Sequence, residues 1–71
     1  MKRYLIVMES TTTGYSAYSP DLPGCVATGA DQAETERNMR KAVAMHVEAL
    51  REAGEEIPDP SSTGVYLEVD E

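Results

Sequence analysis

The sequence predicts a small α+β domain in the order β-β-β-α-β. Three observations carry that prediction. An apolar run, Tyr4–Met8, precedes an alternating run, Tyr15–Ser19, across a polar loop that ends in glycine. A capped amphipathic stretch, Asp31–Ala53, follows a third short strand. A last alternating run, Val65–Val69, closes the order.

Each element has its own warrant. Tyr4 to Met8 is continuous in apolar strand formers, the signature of a strand covered on both faces. Glu9 to Gly14 is polar and reads as a hairpin loop. In the second strand Tyr15 and Ala17 point one way, Ser16 and Tyr18 the other. In Leu22-Pro23-Gly24-Cys25, proline and glycine hold the central positions of a type II turn, whose second central residue needs positive φ. Cys25–Thr28 is the third strand. Asp31 is a good helix N-cap, and Glu34 completes a capping box. Gly54 is a natural stop, with Pro58 and Pro60 beyond it. A helix over 31–53 runs about 34 Å. It places Met39, Val43, His46, Leu50 and Ala53 on one stripe, with Ala42 beside it. Residues 55–64 form a loop. Val65, Leu67 and Val69 then face inward in a fourth strand. A meander followed by a right-handed crossover gives the sheet order 3-2-1-4, with the helix on one face.

At 71 residues the chain forms one domain with a marginal core. Small scaffolds usually gain stability from disulfides, a metal or a partner subunit. Cys25 is the only cysteine and His46 the only histidine, so neither an internal disulfide nor a zinc site is expected. Self-association or binding to another protein remains.

The net charge is −7, from 6 basic and 13 acidic residues. Two bases balance two acids in residues 1–30, five acids meet four bases in 31–53, and six acids meet no base in 54–71. An acidic end repels phosphate backbones, which argues against direct nucleic-acid binding. It suits a basic partner protein, or simply keeps the chain soluble. The five-residue apolar run is too short for a signal core or a membrane span, so a cytoplasmic protein is expected.

Nothing in the sequence assembles a reactive set, so an enzyme is not expected, nor any cofactor. Glu9, Glu68 and Asp70 lie at strand ends, and Asp31 and Glu34 serve as caps, so no converging metal site is read. His46 reads as a histidine packed at the helix–sheet or a subunit contact. Cys25 reads as a small buried hydrophobe. Arg37, Arg40 and Lys41 read as a solvated face pairing with Glu34 and Glu36. A stiff, shaped loop without reactive groups is built to bind.

The run Tyr15-x-Ala17-Tyr18-x-Pro20-Asp21-Leu22-Pro23-Gly24-Cys25-Val26-x-x-Gly29 resembles the signature loop of the HicB-like antitoxin family. The helix with Asn38, Ala42 and Val43, and the exit from Gly54 to Ser61, agree with it, so the resemblance covers about residues 4 to 69. It implies a truncated RNase H-like fold without nuclease activity. It further implies a domain that masks a small basic HicA toxin, an mRNA-cleaving ribonuclease, and that assembles as dimers or higher oligomers. On this reading Tyr18, Pro20, Asp21 and Leu22, with the acidic end of the last strand, contact the partner, while Pro23 and Gly24 shape the turn. Many family members add a C-terminal DNA-binding domain. Residues 1–71 correspond to the N-terminal-type domain alone, so operator binding is not expected of them. Glu36 stands where the family usually has an apolar residue, and His46 where an aromatic is common. The alternative is an orphan oligomeric domain of the same fold with a different protein partner.

Overall fold

The computed structural model describes all 71 residues. Its elements are strands β1 (Val7–Ser10), β2 (Tyr15–Tyr18) and β3 (Val26–Gly29), followed by helix α1 (Gln32–Glu52). The strands form one antiparallel sheet in the order β1-β2-β3. Helix α1 lies across β3 and β2.

The hairpin fixes the register. Thr11 donates to the Gly14 carbonyl at 2.7 Å, and Val7, Met8, Glu9 and Ser10 then face Tyr18, Ala17, Ser16 and Tyr15. Alternation sorts the side chains by face. Met8, Ala17 and Ala27 form a row beneath the helix, packed with the core. Val7, Tyr18 and Val26 form the neighbouring row on the opposite, uncovered face.

The helix is held at both ends by backbone chemistry. Asp31 is its N-cap: the carboxylate accepts from the Glu34 N–H at 2.8 Å. Glu34 reaches back to the N–H of Ala30 at 2.6 Å, one residue before the cap. At the other end the Gly54 N–H bonds to the Arg51 carbonyl and the Glu55 N–H to the Leu50 carbonyl. With Gly54 at φ 72°, this is a complete Schellman motif. Arg40 pairs with Glu36 at 2.8 Å, as the spacing predicts, whereas Glu34 is taken up by the cap.

Three expectations change. First, β1 starts at Val7 rather than Tyr4. The chain opposite residues 4–6 turns away at Ser19-Pro20, so those residues have no antiparallel partner and lie half-buried. Second, the helical stripe is deeply buried only near its start. Met39 is closed off, while Val43, His46 and Leu50 are half-buried and Ala53 exposed, because the helix outruns the sheet. Third, the sheet has three strands, not four. Val65–Val69 pairs with nothing and stands in solvent, since no strand of its own chain lies alongside it.

Candidate partner-binding surface

The loop between β2 and β3 is two fused turns. Leu22 N–H donates to the Ser19 carbonyl at 3.2 Å, and Cys25 N–H to the Leu22 carbonyl at 3.1 Å. Proline occupies the second position of each turn: Pro20 in the first, Pro23 in the second. Its fixed φ presets that position. Gly24 has φ 82°, so the second turn is of type II.

Every third residue of this loop is buried. Ser19, Leu22 and Cys25 point inward; Pro20, Pro23 and Gly24 point out, and Asp21 is half-buried. Leu22 is 0% exposed and packs with Ala17, Cys25 and Met39, so the loop supplies two of the four buried apolar residues. Leu22, expected among the contact residues, is fully buried here and shapes the loop from within. Burial also pushes the Cys25 thiol pKa up, as suits a packing residue.

Asp21 is committed within the chain as well. Its carboxylate accepts four hydrogen bonds, each 3.0 Å, from the backbone N–H and the hydroxyl of Ser61 and of Ser62. These bonds, the backbone ones foremost, hold its pKa below the usual carboxylate value. Two further ties fix the same connector. Tyr4 donates its hydroxyl proton to the Pro58 carbonyl, and Lys2 pairs with Asp59 at 2.8 Å. Nothing in the sequence spacing marks these partners, which lie some forty to sixty residues apart.

Beside the loop, the uncovered sheet face carries Tyr18 at 41% exposure and Val26 at 65%, with half-buried Val7 completing the row and exposed Glu9 nearby. Val26 was not among the residues expected to bind. Its signal was present in the alternation that continues from Cys25, which is buried, to Val26, which is not. No group of three or more His, Cys, Asp or Glu side chains is placed to hold a metal ion, and no helix is long and apolar enough to cross a membrane. An apolar row beside a rigid loop is suited to burying a complementary protein surface.

The model for the HicB-like antitoxin of bacterial toxin–antitoxin systems matches residues 4–71. The chain belongs to the HicB-like antitoxin family. This HicB-like chain is 33% identical over 64 residues to an uncharacterized 14.9 kDa protein from the rep-hol intergenic region of Haemophilus phage HP1, a match covering 90% of this chain and 48% of the phage protein. It thus spans about half of that relative. It is 30% identical over 57 residues to the UPF0150 protein Ta0767 of Thermoplasma acidophilum, covering 79% of this chain and 83% of the other. Among solved structures it matches a chain of a HicA3 and HicB3 toxin–antitoxin complex with TM-score 0.73 and 35% identity, covering 84% of this chain and 70% of that one.

Proposed function

We propose that this chain is an antitoxin-type binding domain that neutralises a HicA-type mRNA-cleaving toxin by lying over the toxin's active site. The observation that carries the reading is the likeness, at TM-score 0.73 and 35% identity, to a chain solved in a complex of HicA3 with HicB3. Tyr18 and Pro20 make the contact, joined by Val26 and supported by Asp21 and Leu22 from behind. The net charge of −7 favours encounter with a basic partner. The domain acts by occlusion, without chemistry of its own, in the cytoplasm where mRNA is translated. It also associates with itself, and residues 65–69 complete a 3-2-1-4, partial RNase H-like sheet in the assembled form.

Co-expression with a HicA-type toxin, followed by affinity capture and titration calorimetry, tests this. A stable complex that silences RNA cleavage is expected. Tyr18→Asp alters a side chain that is not part of the core, so the fold survives; affinity falls about tenfold or more, since central aromatic contacts dominate such interfaces. Absence of a complex with the toxin would leave the orphan domain with another partner. Full affinity in Tyr18→Asp would move the contact off this face.

A further inference from the structure

The corner of the β2–β3 loop is held from outside. Pro20 and Asp21 are the two central residues of its first turn, closed by the 3.2 Å bond from the Leu22 N–H to the Ser19 carbonyl. The Ser19 hydroxyl is buried and has no hydrogen-bond partner. Asp21 is thus the only residue between β2 and β3 whose side chain forms hydrogen bonds, and all of them run to Ser61 and Ser62.

Those two serines are anchored in turn. The residues just before them are tied to the start of the chain, through Tyr4 to the Pro58 carbonyl and through Lys2 to Asp59. Residues 57–62 therefore brace the loop corner against the N-terminal residues. One oxygen of Asp21 accepts from both main-chain N–H groups and the other from both hydroxyls. Two bonds to each oxygen fill the acceptor sites of a carboxylate and leave none for a cation of a partner. Pro20, the residue beside it, is exposed. A corner already fixed gives up less freedom when a partner docks, and that lost freedom is a cost of association.

We infer that Asp21 is a positioning residue for the partner surface: through Ser61 and Ser62 it sets the Pro20 corner beside Tyr18 without itself touching the partner. The brace is then an energetic part of the binding site. The coupling is reciprocal, so a bound partner tightens the clasp as much as the clasp favours the partner. The inference rests on the toxin-binding reading above and deepens it, by adding residues 57–62 to what governs that contact.

Calorimetric titration of the full chain with the HicA-type toxin, with residue-resolved amide exchange at Ser61 and Ser62, tests it. The variants are Asp21→Asn, the pair Ser61→Ala with Ser62→Ala, and all three together, each checked for native helical circular dichroism. Asp21→Asn should lose about tenfold in affinity and the serine pair a smaller factor, within the usual range of coupling between sites. The triple variant should lose no more than Asp21→Asn alone, because both sets break one clasp. In the wild type the Ser61 and Ser62 amides should exchange more slowly once toxin is bound. If Asp21→Asn loses its helix, the serine pair and the wild-type amides decide. A loss in Asp21→Asn with full affinity in the serine pair overturns the inference and puts the carboxylate against the toxin. Full affinity in both, with unchanged amides, overturns it while toxin binding stands, and the clasp then serves stability alone. A wild type that binds no toxin overturns both.

Discussion

Gly24 shows how a single position sets the loop. A Cβ built there meets nothing within 4 Å, yet its φ is +82°. The constraint is therefore conformational and not steric crowding. Gly24→Val should cost about 1–2 kcal/mol in a denaturant melt, while Gly24→Asn, which tolerates the left-handed region, costs clearly less. Equal losses in the two variants would mean that some contact, rather than φ, is at stake. Gly29 is the opposite case: a Cβ there would sit 2.6 Å from the Thr35 hydroxyl, so glycine is what lets the helix start close against β3. Thr35 is itself fully buried and donates to the Asp31 carbonyl at 2.7 Å. The Pro-Gly spelling makes the first constraint readable in the chain. The second requires knowing that residues 29 and 35 touch, which no local pattern states.

Among the elements, the helix was the most legible, because its caps and its period are both local. Asp31, Glu34 and Gly54 mark its ends in sequence and in space. Its depth of burial was not legible, because that depends on how far the sheet extends beneath it. Met39→Ala should cost about 2–5 kcal/mol, since the side chain is 1% exposed. Leu50→Ala, at a half-buried position beyond the sheet, should cost only about 1 kcal/mol. Chemical denaturation of the two variants checks the ratio; equal losses would place Leu50 in a core that forms only on assembly. The strands were legible in number up to the third. The fourth was read from alternation alone, and alternation specifies a face without specifying a neighbour. Asn38 adds a tie the period does not announce, its amide donating to the Thr28 carbonyl at 2.8 Å.

At the scale of the whole molecule, the long-range bonds to residues 57–62 organise the chain beyond its sheet. Asp21 is the centre of this set, and it was singled out in the sequence for a different reason. Its lowered pKa means that the folded state prefers the ionised form. The stabilisation is complete above about pH 4, the ordinary carboxylate range, and is lost as pH falls through the lowered value. Asp21→Asn should therefore melt below the wild type at neutral pH, with the two curves converging in strong acid. A constant gap across that range would show that shape, not charge, holds the connector. Two of the four bonds to Asp21 come from main-chain N–H groups. Those donors belong to any residue but proline, so drift to glycine or alanine at position 61 or 62 would slacken this clasp without undoing it. Residue 21 has no such latitude, because a lost carboxylate frees four donors together, and evolutionary tolerance across the clasp should be lopsided in that sense.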